Sequence, residues 1–524
     1  MPFLTRRSLG FLPFLVLLGC LLLLPLSPPG LGLAAQQLET PRRGPSKSLS
    51  LPARLSKLWR RETLPTRAFA GLAVVDAVSG ETIASENAAY LFVPASNVKL
   101  YSTALALHRL GPEHRVSTQV LAGGSFDEPS GVLRGNLILQ GGGDPSMSSR
   151  RFPYSIETED LRDYPIPALE ELADELLTRG IRQIDGDVIG DDSKYVWEPF
   201  HEGWAQDDAL YGYGAPVSAL SVNDNLIEIT VAPAAVVGEP ATVSIRPALP
   251  YYDILNRAVT TAKPGSRIEW ERAPGQQLIL RGGIAPRASA WKGKVAIDDP
   301  ALYAARYLRD ALLRRGVRVS GGARARHQLA GAASGSPPAD SLAVLARHQS
   351  PPVAEIVHTV NKESMNLFAE MLLLEVAHAS GGTGSREQGL RELRNFLAGI
   401  GIAPDAVSIA DASGLARLNL VSPQATVQLL RSMWRGPHRQ IWLESLPVGG
   451  RDGTLERRFG DSPLASSIRA KTGSLRGVSA LSGYATTRSG KTFAFSAFVN
   501  NHPGSSRIAR DFLDRIALEI AGSP

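Results

Sequence analysis

Strand-like sequences occur near both ends of the chain, and a block of different character lies between them. Residues 67–76 (RAFAGLAVVD) have the composition of a strand, and SALSGYATT and KTFAFSAFVN near the C-terminus alternate well enough to form a β-hairpin. From 117 to 342, short strands such as VLRGNLILQ are separated by Gly and Asp turns, with helices near 166–179 and 301–315. Helical periods then resume over 351–434. The pattern predicts one α/β (α+β) domain that is split by an insertion of mainly β structure.

The length of the chain sets the number of domains. A chain of 524 residues is too long for one compact core, so we expect two or three domains. The loop-like GAASGSPPADS marks the end of the insertion. The predicted divisions are a signal peptide at 1–35, a linker at 36–58, a split domain at 59–116 and 343–524, and inserted domains, two of them nested, at 117–342.

The N-terminus has the pattern of an export signal. A positively charged start is followed by FLPFLVLLGCLLLLPL and by small residues, with a cleavage site after Ala35. Pro13 and Pro25 interrupt the apolar run and argue against a permanent membrane span, although an uncleaved anchor and lipidation at Cys20 stay open. We therefore expect a periplasmic or other extracytoplasmic protein at the cell envelope.

Several classes of chemistry are excluded by residue counts. Cys20 is the only cysteine, so a mature chain has no disulfide, catalytic thiol or cysteine zinc site. The nine histidines are dispersed without His-Glu-x-x-His, and no Gly-x-Ser-x-Gly occurs, so a serine enzyme here would not use histidine as its base. The net charge of +6 without a Lys/Arg run gives nucleic-acid binding little support, but it suits weak association with an anionic wall or membrane surface.

One short pattern places a serine three residues before a lysine. In PASNVKLYSTALAL, Ser96 opens an apolar helical run and Lys99 follows it. Ser96 is either a helix cap beside a solvated lysine, or a nucleophile whose base is Lys99. A second copy, Ser289 to Lys292, shows that the pattern alone does not decide.

Two later patterns supply the partners that such a pair would need. Ser364 and Asn366 lie two residues apart in a helical stretch, and Lys471 begins a Lys-Thr-Gly sequence near a strand. Each also has a plain structural interpretation, as a polar pair on a helix or a surface lysine. In combination, a helix lets Lys99 reach Ser96, and burial with a second cation at Lys471 would lower the pKa of Lys99. Ser364 could then relay a proton to a leaving amine while Asn366 donates to a substrate amide.

The order of these motifs, together with longer stretches, carries a family resemblance. The sequence resembles the D-alanyl-D-alanine carboxypeptidase/endopeptidase family, the class C low-molecular-mass penicillin-binding proteins, from about residue 60 to 515. The stretches that match are GNLILQGGGDPS, GYGAPVSALSVNDN, DASGLARLNLVSP, LPVGGRDGTLERRF and AKTGSLRGVSALSGY. Ser364 and Asn366 form a Ser-x-Asn pattern, of which Ser221–Asn223 is another copy. The resemblance assigns this copy and Ser289–Lys292 to the insertion, as structural residues.

The resemblance implies a transpeptidase/β-lactamase-like domain, an antiparallel sheet flanked by helices, around inserted domains. It implies a serine-type D-Ala-D-Ala carboxypeptidase, with endopeptidase activity in some members, which acts on peptidoglycan stem peptides without a cofactor or metal. β-Lactams acylate the same serine. The gap of roughly 265 residues between Lys99 and Ser364 fits this family and far exceeds that of a single-domain β-lactamase.

The resemblance also implies binding residues. Backbone N–H groups of Ser96 and Ser474 would form an oxyanion hole, the hydroxyls of Thr472 and Ser474 would bind a C-terminal carboxylate, and Gly473 would leave room for the substrate backbone. Further substrate-binding positions are Arg417 in SGLARLN and Asp208 in GWAQDDALYGYGAP, with Asp207 as the neighbouring alternative. Two other hypotheses are a β-lactamase, for which no deacylating glutamate is identified, and a catalytically idle wall-binding scaffold.

Overall fold

The computed structural model describes residues 49–61, 67–148, 166–263, 265–332 and 342–524. The predicted signal peptide with Cys20 and the linker up to residue 48 lie outside these ranges. Within them, no helix combines the length and the apolar character that crossing a membrane requires.

A central antiparallel sheet joins the two ends of the described chain. Its strand order is β18-β19-β20-β1-β2, counted over the described residues. The strands are β1 (Phe69–Asp76), β2 (Thr82–Glu86), β18 (Ile468–Leu475), β19 (Val478–Thr486) and β20 (Thr492–Asn500). The first strand pairs with the last over eight positions, from Phe69 opposite Asn500 to Asp76 opposite Phe493. This pairing closes the predicted split domain, and it confirms the mixed fold with an antiparallel sheet.

Helices cover both faces of this sheet. One layer consists of α2 (Val98–Arg109), α5 (Val353–Glu363), α6 (Asn366–Ala379), α7 (Arg386–Gly399), α8 (Pro423–Arg435) and α9 (Arg439–Ser445). The other consists of α1 (Leu51–Arg61) and α10 (Arg507–Ala521). Because β19 and β20 lie between the two layers, almost every residue of both strands is buried.

Helix α1 corrects the predicted linker at 36–58. Leu51 and Leu55 are buried against the sheet layer, the Trp59 and Phe512 rings lie 5.6 Å apart, and Arg54 Nε donates to Glu519 Oε2 over 2.9 Å. Leucines four residues apart lie on one face of a helix and here they meet α10. The prediction weighed the Pro and Ser content and missed this spacing.

The insertion contains a larger sheet with two smaller sheets nested inside it. Among the described residues, the larger sheet is formed by β3 (Ser117–Asp127), β4 (Val132–Gln140), β5 (Gln183–Ile184), β6 (Val188–Val196), β13 (Arg318–Val319), β14 (Ala323–Gln328) and β15 (Val344–Gln349). It packs with α3 (Pro167–Thr178) and α4 (Pro300–Arg314). The smaller sheets, in the same described ranges, are β12-β7-β8 and β10-β11-β9. Their strands are β7 (Leu226–Ala232), β8 (Thr242–Arg246), β9 (Asp253–Thr260), β10 (Ser266–Ala273), β11 (Gln277–Ile284) and β12 (Trp291–Ala296).

Two further strand pairings involve the C-terminal part of the chain. Strand β15 pairs with β3, so this sheet includes residues that the prediction assigned to the second part of the split domain at 343–524. The strands β16 (Val407–Ser408) and β17 (Leu420–Val421) pair across the loop that carries Asp411. That loop reaches the start of α2, where the candidate site lies.

Candidate active site

Ser96 lies in a short 3₁₀ turn, Ala95–Asn97, that leads directly into α2. Its hydroxyl accepts a hydrogen bond of 3.0 Å from Lys99 Nζ, and its side chain caps neither the turn nor the helix. Ser96 is half-buried whereas Lys99 is fully buried. The helix-cap interpretation of Ser96 is therefore wrong: Asn97 occupies the cap position of α2, and the Ser96 hydroxyl is left for Lys99.

Lys99 is held by two further acceptors. Its Nζ lies 2.6 Å from Asn366 Oδ1 and 2.5 Å from the Ser413 carbonyl oxygen. Burial lowers its pKa to about 7, against the opposing effect of the negative charges of Asp411 and Glu370. An amine with this pKa is neutral in about half of the molecules near pH 7, which is what a base for a serine hydroxyl requires.

Ser364 and Lys471 form a second pair beside the first. Ser364 sits between α5 and α6 with left-handed backbone angles (φ 60°), and Lys471 lies on the edge strand β18. Lys471 Nζ donates to Ser364 Oγ over 2.8 Å. Burial, and then the charge of Lys99, lower the pKa of Lys471 well below its ordinary value. The two lysines therefore share one desolvated site, in which holding both as cations is unfavourable.

Gly473 has a different role from the one expected. A Cβ atom there would lie 2.6 Å from the Pro94 carbonyl oxygen and 3.0 Å from Asn97 Nδ2, so the space belongs to the turn that carries Ser96 and not to a substrate backbone. Asn97 Nδ2 also donates to the Lys471 carbonyl over 3.2 Å. Glycine thus lets β18 approach the turn that carries Ser96 closely.

The remaining predicted binding residues surround this centre. Ser474 is exposed on β18, and the Thr472 hydroxyl donates to Thr454 over 2.9 Å. The Ala470 amide on the outer edge of β18 donates to the Pro447 carbonyl oxygen. After Ala470, no described strand pairs with that edge of β18. The edge beside Ser96 is therefore available to an extended peptide.

Asp208 and Arg417 are not brought together. Asp208 accepts from the Ala205 amide over 2.9 Å and from the Tyr213 hydroxyl. Burial, and then the charge and hydrogen bond of Asp208, raise the pKa of Tyr213 to about 12. Asp207 is exposed. Arg417 is also exposed and donates to the Arg476 carbonyl over 2.7 Å, and no ion pair links it to Asp208 in the described part of the chain.

Tyr213 links Asp208 to the centre. Asn366 Nδ2 donates to the Tyr213 carbonyl oxygen over 2.7 Å, while its Oδ1 accepts from Lys99. The Asn366 amide therefore already has a partner, so its expected donation to a substrate amide would require an exchange of that bond. Its present role is to tie the insertion to Lys99.

Glu370 was not predicted as a site residue. It is buried in α6, and its Oε1 accepts from the Ala412 amide over 3.1 Å and from the Ser413 amide over 2.9 Å. Burial, with Asp411 nearby, raises its pKa to about 7. Since the Ser413 carbonyl accepts from Lys99, Glu370 positions the loop that holds Lys99. An acid inside the apolar run NLFAEMLLLEV is a sequence signal that could have found it.

Asp411 orders the same loop from the other side. Its carboxylate accepts from the amides of Gly414 and Ala416, each over 2.7 Å, and from Trp204 Nε1 over 2.9 Å. Gly414 has φ of +81°, and a Cβ there would lie 1.9 Å from the Ala95 carbonyl oxygen. The loop therefore contacts the turn that carries Ser96 at a position that only glycine fits.

An open cleft continues from the centre onto the insertion. It has a volume of about 620 Å³ and begins at residues 363–367, which include Ser364 and Asn366. The insertion contributes Tyr211, Tyr213, Glu228, Trp270, Lys292 and Lys294 to its walls. The lysine of the second Ser-x-x-Lys thus lines the cleft, from the strand β12, whereas Ser289 precedes that strand and is not in a helix with Lys292. Ser221, of the second Ser-x-Asn, instead donates to the Ser218 carbonyl over 2.9 Å within a loop.

Comparison with known proteins gives a consistent result. A family model described as "D-Ala-D-Ala carboxypeptidase 3 (S13) family" matches residues 51–519. A D-alanyl-D-alanine carboxypeptidase from an Actinomadura species is 34% identical over 469 residues, 87% of this chain and 81% of that protein. The crystal structure of penicillin-binding protein 4 from Haemophilus influenzae is similar with a TM-score of 0.77 at 24% identity, covering 89% of this chain and 99% of that one. A structure of the same protein complexed with a β-lactam gives 0.73 at 22% identity, with the same coverage.

Proposed function

Since the chain belongs to the D-Ala-D-Ala carboxypeptidase 3 (S13) family, we propose that it is a serine-type D-Ala-D-Ala carboxypeptidase whose reaction is carried out around Ser96. The observation that carries this proposal is the pairing of two buried lysines with two serines. Lys99 bonds to Ser96 over 3.0 Å and Lys471 bonds to Ser364 over 2.8 Å.

Acylation begins at the Ser96 hydroxyl. Its oxygen attacks the carbonyl carbon of the penultimate D-alanine, and its proton passes to the neutral amine of Lys99. The developing oxyanion is stabilised by backbone N–H groups of Ser96 and Ser474. Burial of Lys99 supports this step, because it leaves the amine neutral in about half of the molecules near pH 7.

Release of D-alanine requires a proton on the leaving nitrogen. As the C–N bond breaks, the Ser364 hydroxyl donates its proton to that nitrogen and regains the proton that Lys99 took from Ser96, which leaves Lys99 neutral again. Lys471 holds this hydroxyl in place. Water then attacks the ester carbonyl, Lys99 accepts a proton from the water, and Lys99 passes that proton to the Ser96 oxygen as the acyl group leaves.

Substrate position follows from β18. An extended peptide that pairs with the edge at 472–474 places its C-terminal carboxylate near the hydroxyls of Thr472 and Ser474. The carbonyl that precedes the last residue then lies beside Ser96. We propose peptidoglycan stem peptides ending in D-Ala-D-Ala as substrates, β-lactams as compounds that acylate Ser96, and endopeptidase activity on cross-linked peptides as a second use of the site.

Export is part of this proposal, since the substrate lies outside the cytoplasm. The N-terminal signal pattern and the absence of cysteine after Cys20 support a place in the periplasm or at the outer surface of the membrane. A weak association with the envelope surface fits the net charge of +6.

The test is covalent labelling by a fluorescent penicillin, combined with measurement of D-alanine release from a stem pentapeptide. We expect both in the wild type and neither in Ser96→Ala. Ser289→Ala is the matched control, because it removes the serine of the other Ser-x-x-Lys and should change nothing. Absence of label in the wild type would contradict the proposal and favour an idle scaffold, whereas rapid turnover of the β-lactam without D-alanine release would favour a β-lactamase.

A further inference from the structure

The cleft beside the candidate active site is larger than its reaction requires. The cleft encloses about 620 Å³ and extends from Ser364 and Asn366 to β10 and β12 of the insertion, whereas the reaction takes place at Ser96, which does not line the cleft. Volumes of ~300–1,000 Å³ are typical of sites that bind a whole small molecule or a stretch of peptide. The insertion therefore adds room for a further part of the substrate.

An aromatic wall lines this extension. The rings of Tyr211 and Tyr213 stack with their centroids 5.5 Å apart and planes 6° apart, and the Trp270 ring meets the Tyr211 ring edge-on at 5.3 Å. Tyr211 is 37% exposed and Tyr213 is 49% exposed, although both are large hydrophobic residues. Exposed aromatic rings that pack against one another provide a rigid contact surface for the aliphatic carbons of a ligand, and little side-chain entropy is lost when the ligand binds.

This wall has a defined position relative to the catalytic residues. The Tyr213 carbonyl oxygen accepts from Asn366, whose other amide atom accepts from Lys99. A Cβ on Gly212, between the two tyrosines, would lie 3.0 Å from Leu226, so the segment is packed closely against β7. A chain that leaves the neighbourhood of Ser96 over Asn366 therefore meets the tyrosines first.

Charged groups are arranged by depth beyond the wall. Lys292 and Lys294 lie two residues apart on β12 and so face the cleft together. The Lys292 side chain is 60% exposed at the mouth, while Glu228, at 3.9 Å from it, is only 9% exposed. Asp224 is also buried, and Glu363 lies at the catalytic end. Three carboxylates thus line the cleft as well, and Lys294 is opposite Glu228 in the pairing of β12 with β7. Both charged side chains of β12 itself are positive, and Lys292 is exposed at the mouth.

From this arrangement we propose that the cleft binds the part of the stem peptide that precedes its last three residues, with the tyrosines against its aliphatic carbons and the β12 lysines beside its free carboxylate. The inference rests on the proposed function and adds the selection of long, acidic stem peptides over short ones. A γ-linked glutamate in a stem peptide leaves an α-carboxylate of this kind. Lys292 and Lys294 are binding residues in this proposal and take no part in the chemistry.

The test compares kcat/KM for D-alanine release on three substrates. The first is a stem pentapeptide with a free glutamate α-carboxylate, the second is the same peptide with that carboxylate amidated, and the third is an N-acetylated tripeptide with the same last three residues. In Lys292→Gln and Lys294→Gln we expect a loss of about three- to five-fold on the acidic pentapeptide, the size of a partly exposed ion pair, and less than two-fold on the other two. In Tyr211→Ala we expect loss on both pentapeptides and none on the tripeptide.

The controls separate the possible failures. Lys263→Gln removes an exposed lysine of the insertion that does not line this cleft, and it should leave all three values unchanged. Normal activity on the tripeptide shows that each variant is folded and that its chemistry is intact. An equal loss on all three substrates, or no loss on the acidic pentapeptide, overturns the inference while the proposed function stands. A wild type that neither labels with penicillin nor releases D-alanine overturns the proposed function, and this inference with it.

Discussion

The pH dependence of acylation tests the central claim about Lys99. Burial brings its pKa from 10.5 to about 7, so its neutral fraction is about 90% at pH 8, about half at pH 7 and about 1% at pH 5. Lowering the pH from 8 to 5 should therefore slow acylation of Ser96 about 90-fold. A solvated lysine with a pKa near 10.4 would instead give a roughly ten-fold change for every unit up to pH 10.

The assay is the second-order rate constant for labelling by a fluorescent penicillin between pH 5 and 9. We expect a rise of one order of magnitude per unit at low pH, a midpoint near pH 7 and a plateau above pH 8. A rate that keeps rising steeply from pH 8 to 9 would refute the effect of burial on Lys99. A rate that is flat from pH 5 to 9 would refute Lys99 as the base.

A single substitution sharpens this test. The negative charge of Glu370 raises the pKa of Lys99, while its Oε1 accepts from the amides of Ala412 and Ser413. Since the pKa of Glu370 is itself about 7, about half of the molecules carry this charge near the midpoint. Glu370→Gln keeps an oxygen for both amides and removes the charge, so the midpoint should move to lower pH. Glu387→Gln, at an exposed position of α7, is the control and should leave the midpoint in place. A midpoint that moves to higher pH would contradict the electrostatic argument.

Three further predictions concern the framework. Gly414→Ala places a Cβ atom 1.9 Å from the Ala95 carbonyl oxygen, next to Ser96, at a φ of +81°. It should lower the free energy of unfolding by about 2–4 kcal/mol and abolish penicillin labelling, and normal labelling would count against the contact. Burial would lower the pKa of His327, but hydrogen bonds to Asp192 and Asp299 raise it to about 10. The protonated His327 therefore stabilises the folded state fully below the unfolded pKa of about 6.5, and this contribution is lost as the pH rises through 10. The difference in unfolding free energy between wild type and His327→Gln should follow that course, and a constant difference would refute it. Leu55→Ala, which truncates a buried contact of α1, should cost about 2–4 kcal/mol in urea unfolding, and an unchanged value would mean that α1 does not stabilise the domain.

Local patterns in the sequence predicted much of the fold and the core of the site. Ser96 and Lys99 are three residues apart at the start of a helix, so their contact is a local property that spacing reveals. The strand pattern at 67–76 and in the last hairpin likewise predicted one sheet, which the pairing of β1 with β20 completes. The linker at 36–58 was misjudged in its last part, because the contribution of Leu51 and Leu55 depends on a helix at the other end of the chain.

Other features depend on groups that packing alone brings together. The low pKa of Lys99 results from its burial among segments around residues 366 and 413, which lie more than 260 positions away along the chain. Gly473 makes room for the turn that carries Ser96, and Glu370 acts on Lys99 through the Ser413 carbonyl. No spacing of residues in the sequence indicates either contact. The sequence by itself determined which groups are available and their order. Only the tertiary structure decided which of them are desolvated and in contact, since burial and through-space charge depend on every segment that packs around the site.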